Sequence, residues 1–149
     1  MTKAVVTCDP TDTIVTAARV MAHHQVGALI VLDANGALAG LVTCRDVCVA
    51  IGAEDLGRTV ASVMTRGVIW VRPEQTAEAV GHLMANHHIH RVPVLSPDRV
   101  PIGMIALSDL ALGACETGKR RDRVAIARTL AAIHAPRPQF CGDPKTLRD

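Results

Sequence analysis

Apolar residues at Ile14, Ala17, Ala18 and Met21 recur at helical spacing behind Pro10 and predict a helix that buries one stripe. Ahead of it, residues 5–8 form a short β-rich run that the proline stops. Beyond it, residues 28–32 are rich in β-branched and apolar side chains, Asp33-Ala34-Asn35-Gly36 favours a hairpin turn, and residues 38–43 supply another strand. That strand runs into a short helix near Asp46, so the order of elements is β-α-β-β-α. The same order returns downstream. Residues 68–71 stop at Pro73, Ala77, Val80 and Met84 mark a helical stripe, residues 92–95 and 102–106 flank a turn at Ser96-Pro97-Asp98, and a short helix begins near Asp109.

Shifting the chain by 63 residues aligns 1–51 with 64–114 without a gap, and positions such as Met1/Met64, Thr2/Thr65, Pro10/Pro73, Thr13/Thr76, Gly40/Gly103 and Asp46/Asp109 are identical. One such unit has a sheet too small to bury both faces alone. Two copies packed sheet against sheet, helices outside, solve that problem and predict an α/β (α+β) fold with pseudo-two-fold symmetry. The expected organisation is repeat 1 over 1–52, a connecting segment over 53–63 with a short helix at 59–63, repeat 2 over 64–114, and a basic end over 115–149. Within that end a helix is predicted over 120–134, apolar at Val124, Ala127, Leu130, Ala131 and Ile133, followed by a loose Pro-containing tail.

Composition narrows the function classes. Trp70 and Phe140 are the only aromatic residues, which argues against a surface that stacks bases or sugars. Residues 1–118 carry 8 basic and 11 acidic side chains while 119–149 carry 8 and 3, so a mildly acidic body bears a basic end. The cysteines are scattered and form no C-x-x-C pair, and no signal peptide is recognised at the start, which predicts a reduced, cytoplasmic setting. The longest apolar run, residues 26–32, is far short of the roughly 20 residues a membrane span requires.

Gly40-Leu41-Val42-Thr43-Cys44-Arg45-Asp46, preceded by Val26-Gly27-Ala28-Leu29-Ile30-Val31-Leu32-Asp33 and Asn35-Gly36, resembles the signature of a CBS domain. Gly103-Met104-Ile105-Ala106-Leu107-Ser108-Asp109 resembles a second. Two in tandem resemble a Bateman module, here of a stand-alone bacterial kind spanning residues 1–114. The resemblance implies a regulatory module, not an enzyme, that binds AMP, ADP, ATP or S-adenosylmethionine between its repeats and dimerises. No catalytic cofactor is implied.

Thr43 and Asp46 lie three residues apart where a strand becomes a helix, so both side chains can face one cleft. A carboxylate there can accept hydrogen bonds from the vicinal hydroxyls of a ribose, with the threonine adding one more; alternatively Asp46 only caps its helix. Ile89-His90-Arg91-Val92-Pro93-Val94 resembles the stretch that contacts AMP phosphates in the gamma subunit of AMP-activated protein kinase, and Arg91 and His90 offer donors for phosphate oxygens. By the same resemblance Leu41, Val68 and Ile69 enclose the adenine. In the pseudo-symmetric position Thr43 becomes Ala106 and His90-Arg91 becomes Gly27-Ala28, which leaves Asp109 to mark a weak second site. One good nucleotide site per chain is therefore expected.

Other residues have plainer readings. His23-His24 and His87-His88 occupy equivalent helix ends, where imidazoles are electrostatically favoured, so no metal site is expected from them or from His90. Cys44 and Cys48 read as small buried residues, because no second pair completes a tetrahedral site. Lys119-Arg120-Arg121-Asp122-Arg123 reads as a solvated helix start, and nucleic acid is not the expected partner. The leading function is adenine-nucleotide sensing that signals to an unknown effector protein. The alternative is a ligand-free adaptor dimer acting through its surfaces and basic tail. A homodimer is expected in either case, built from helix residues Ile14, Ala17, Met21, Val47, Ala77, Val80, Met84 and Leu110.

Overall fold

Thr13 and Thr76, 63 residues apart, open equivalent helices in a computed structural model that describes residues 5–54 and 56–135. The Thr13 hydroxyl oxygen accepts from the Thr16 N–H at 3.1 Å and that of Thr76 from the Ala79 N–H at 3.2 Å, which satisfies one otherwise unpaired donor at each helix start. These helices, α1 (Ile14–His24) and α4 (Ala77–His87), end alike, on Gln25 at φ 53° and His88 at φ 52°. A left-handed residue closes a helix and turns the chain sharply. Here it aims residues 26–27 and 89–90 into the next strands.

In repeat 1, β1 (Thr7–Cys8) runs parallel to β2 (Ala28–Leu32), which pairs antiparallel with β3 (Leu38–Thr43). In repeat 2, β4 (Arg91–Leu95) pairs antiparallel with β5 (Pro101–Ala106), and Val71 makes a single parallel bridge to Val94, the counterpart of Cys8 against Val31. Both hairpins shift register at the same place, Val31/Leu32 and Val94/Leu95. The first strand of each repeat is thus shorter than predicted. Of the residues ahead of it, Val6 still gives its carbonyl to the Ile30 N–H at 3.1 Å. The expected Asn-Gly turn is instead organised by Asp33, whose carboxylate accepts from the N–H groups of Asn35 and Ala37 at 2.8 and 2.9 Å.

After the hairpins come α2 (Cys44–Gly52) and α5 (Leu107–Glu116), with α3 (Val60–Val63) in the connecting segment. Leu41 exchanges backbone hydrogen bonds of 2.9 and 3.0 Å with Thr65, and Met64 buries in the core of repeat 1 with Ala17, Met21, Leu29, Val31, Val42, Val47 and Val60. Repeat 2 has its own core around Val71, Val80, Met84, Val92, Val94, Leu107 and Leu110. Of the eight helix residues expected to form a dimer contact, all but Ala77 are buried inside the chain. Side chains that fill their own core present nothing to a partner, so that interface is corrected.

The last helix, α6 (Arg120–His134), packs on α4 and α5 through Ile126, Thr129 and Ile133. The face expected from Val124 and Leu130 is wrong, since both are exposed. Apolar residues lie on both sides of α6, and close fit decides between them: Thr129 nests against Gly81, where a Cβ would stand 3.2 Å from its hydroxyl, and Ile133 completes the core. The predicted loose tail, 136–149, lies outside the described residues. Among the described residues no helix is long and apolar enough to cross a membrane.

Candidate functional site

Each repeat ends its hairpin on a residue held by the carboxylate three positions later. The N–H and hydroxyl of Thr43 both donate to Asp46 Oδ2 at 2.7 Å, and the Ala106 N–H donates to Asp109 Oδ2 at 2.8 Å. The capping role is therefore present in both repeats, and it fixes the carboxylates at the helix starts, where the helix dipole favours negative charge. In each, Oδ1 accepts no hydrogen bond from the described residues, which leaves an oxygen able to receive a ligand hydroxyl.

Arg91 opens β4 opposite Ala106. Its guanidinium lies across Gly27, where a Cβ would stand only 2.9 Å from Nη2. Together with Asp109 it lines a cavity of about 190 Å³ between the repeats, walled on the repeat 1 side by Val5, Val6 and Ala28 and on the other by Met104 and Ala106. Under the 63-residue shift Val5, Val6, Met104, Ala106 and Asp109 are the counterparts of Val68, Ile69, Leu41, Thr43 and Asp46.

The structure places Arg91 differently from the grouping expected with Thr43 and Asp46. Arg91 does not leave Asp109 without a phosphate donor but shares its cavity. The cause is the strand register, which sets Arg91 beside the residue that Asp109 caps, together with the bare backbone of Gly27, over which the long side chain can lie. The pattern of matched positions does not carry this, because it says nothing of the conformation of so long a side chain.

The remaining candidates lie elsewhere. Thr43 and Asp46 are half-buried at the start of α2, and Leu41 is brought by its bridge to Thr65 within a few residues of half-buried Val68 and Ile69. His90 separates from Arg91: its Nε2 lies 3.4 Å from His134 Nε2 on α6. Burial, then the charges of His134, Arg91 and Arg45, hold the His90 imidazole below its ordinary pKa. The contact with His134 went unseen in the sequence because nothing in the spacing of 44 residues signals it.

Cys44 and Cys48, expected in the core, are exposed, since α2 turns only Val47 and Ala50 inward. Burial and the neighbouring Asp12 and Asp9 push the Cys8 thiol up to about 11. No group of three or more His, Cys, Asp or Glu residues able to hold a metal ion occurs among the described residues. A larger groove of about 1540 Å³ is lined by repeat 2, the turn before α4, and α6. It does not lie between the repeats.

Two repeats of one α/β unit that meet at a carboxylate-bearing cavity define a paired-repeat architecture. The CBS domain family model matches residues 1–53 and 60–113, and the chain belongs to the CBS domain family. It is 37% identical over 114 residues to the CBS domain-containing protein YhcV of Bacillus subtilis, covering 75% of this chain and 80% of that one. It is 32% identical to an inosine-5'-monophosphate dehydrogenase of Methanocaldococcus jannaschii over 72% of this chain but only 21% of the enzyme. Among solved structures it resembles the CBS domain pair of protein MJ0100, solved with 5-methylthioadenosine and S-adenosyl-L-methionine, at TM-score 0.72 and 26% identity, covering 80% and 94% of the two chains.

Proposed function

We propose that this CBS pair is a regulatory module, not an enzyme, that senses an adenine nucleotide in the Arg91–Asp109 cleft and signals to an effector protein. The observation that carries the reading is the meeting of a cation and a carboxylate in one cavity whose apolar wall comes from the other repeat. Val5, Val6 and Met104 suit the faces of an adenine, Asp109 the ribose hydroxyls, and Arg91 a phosphate through its planar fork. The adenosyl ligands of the MJ0100 pair support the choice of ligand class.

The cavity is smaller than the roughly 300–1,000 Å³ of typical ligand pockets, so a nucleotide displaces the guanidinium from above Gly27 as it enters. The Thr43 and Asp46 side, with Leu41, Val68 and Ile69, is the secondary site. A second copy of the chain docks on the outer helix faces, where Val49 and Leu112, equivalent under the repeat, are 68% and 64% exposed. Light scattering should then give the mass of two chains.

Thermal melting of the full chain with AMP, ADP, ATP, S-adenosylmethionine and 5-methylthioadenosine tests the ligand class. A ligand at about 100 times its Kd adds roughly 2.7 kcal/mol of stability. A raised Tm with at least one adenosyl ligand is expected; no shift with any of them at millimolar concentration overturns the reading.

A further inference from the structure

His90 and His134 come from opposite ends of the second half of the chain, one from the loop entering β4 and one from the last turn of α6, and their Nε2 atoms stand 3.4 Å apart with ring centroids 5.0 Å apart. His134 Nδ1 lies 2.9 Å from the Leu130 carbonyl oxygen. A carbonyl only accepts, so Nδ1 carries the proton and the Nε2 lone pair of neutral His134 points outward. That carbonyl contact is the kind of outer-shell bond that orients metal-bound imidazoles. Next to it, His88 Nδ1 donates to the Ile133 carbonyl at 3.2 Å and anchors the same turn of α6.

We propose that His90 and His134 form a two-imidazole site for a borderline divalent transition-metal ion such as Ni²⁺ or Zn²⁺, which ties the end of α6 to the start of β4. Two nitrogen ligands at 2.0–2.1 Å stand about 3.4 Å apart on a tetrahedral ion and about 2.9 Å apart at neighbouring square-planar or octahedral positions, so the 3.4 Å found here suits Zn²⁺ directly and Ni²⁺ after a small turn of the rings. Imidazole is a preferred ligand for these ions, and the ion takes the place of the proton between the two Nε2 atoms, the single ring proton of His90 then sitting on its Nδ1. No third His, Cys, Asp or Glu among the described residues joins the pair, so water fills the remaining positions and the ion exchanges freely. The site stands independently of the nucleotide reading.

The test is calorimetric titration of the untagged full chain with NiCl₂ at pH 7.5, without nucleotide, alongside thermal melts with and without EDTA. His90→Gln and His134→Gln keep polar side chains at these positions, and Gln is a good helix former at 134. One Ni²⁺ per chain is expected, with a Tm raised by the metal and restored by EDTA. Either substitution should weaken binding at least tenfold, while His24→Gln, at the exposed end of α1, leaves it unchanged. Absence of binding to the native chain, or binding that survives the double His90→Gln/His134→Gln variant, overturns the proposal.

Discussion

The guanidinium of Arg91 lies over Gly27, so close that a Cβ at that glycine would meet Nη2 at 2.9 Å. The two residues belong to different repeats, and both line the cavity that Asp109 also lines. Gly27→Ala should therefore push the flexible arginine outward without unfolding the chain. The expected result is a native melt together with a changed affinity for phosphate-bearing ligands, measured by calorimetry against adenosine as control.

Gly40 marks where repeat 1 meets the first residues of repeat 2. A Cβ there would stand 2.6 Å from Met64 Sδ and 3.0 Å from the Thr65 carbonyl oxygen. The sulfur can move, but the carbonyl region is held by the hydrogen bonds between Thr65 and Leu41. Gly40→Ala should cost about 1–3 kcal/mol of stability in urea unfolding, as overpacked sites do.

Arg99 occupies in the second hairpin the place of Gly36 in the first, and both have a left-handed backbone, φ 62° and 76°. An arginine pays a steric cost there that glycine avoids, partly offset by glycine's greater freedom in the unfolded chain. Arg99→Gly should raise stability by a few tenths to about 1 kcal/mol, and an unchanged or lowered urea midpoint would contradict this.

The lowered pKa of His90 makes stability depend on pH. The folded chain binds its proton more weakly than the unfolded chain does, so stability is full above the ordinary histidine value of 6.5 and falls as pH drops through it. Melts at pH 7.5 and 5.5 should show a loss on acidification that is smaller in His90→Gln. Identical losses would place the effect elsewhere.

With its pKa pushed up to about 11, the buried Cys8 stays a thiol at neutral pH, whereas Cys44, Cys48 and Cys115 are exposed. Brief iodoacetamide treatment of the native chain should modify those three and spare Cys8, as read by peptide mass spectrometry.

Much of the fold was legible because the repeat reports each element twice. Residues 28–32, 38–43 and 120–134 form the elements their patterns predict. Buried strands declare themselves through runs such as Ala-Leu-Ile-Val-Leu, and the apolar stripes at helical spacing behind Pro10 and Pro73 mark the two equivalent helices. What stayed hidden depends on conformation rather than pattern. Val5 and Val6 are as β-prone as Thr7 and Cys8, yet they line a cavity instead of extending the strand. α6 carries apolar residues around its circumference, so its buried face was decided by Gly81 and the second core. Arg91 was legible as a candidate phosphate donor, but the place of so long a side chain, over Gly27 and in one cavity with Asp109, was not.

The central claim is that Arg91 and Asp109 work on one ligand. Calorimetric titration of AMP and adenosine into the native chain and into Arg91→Ala, Asp109→Ala and Asp46→Ala tests it most directly. Loss of Arg91 should cost about 1.5–3 kcal/mol for AMP and little for adenosine. Asp109→Ala should weaken both ligands, and Asp46→Ala should leave the tighter binding event in place. If Asp46→Ala abolishes the tight event while Asp109→Ala spares it, or if Arg91→Ala binds AMP as the native chain does, the assignment of the Arg91–Asp109 cleft is contradicted.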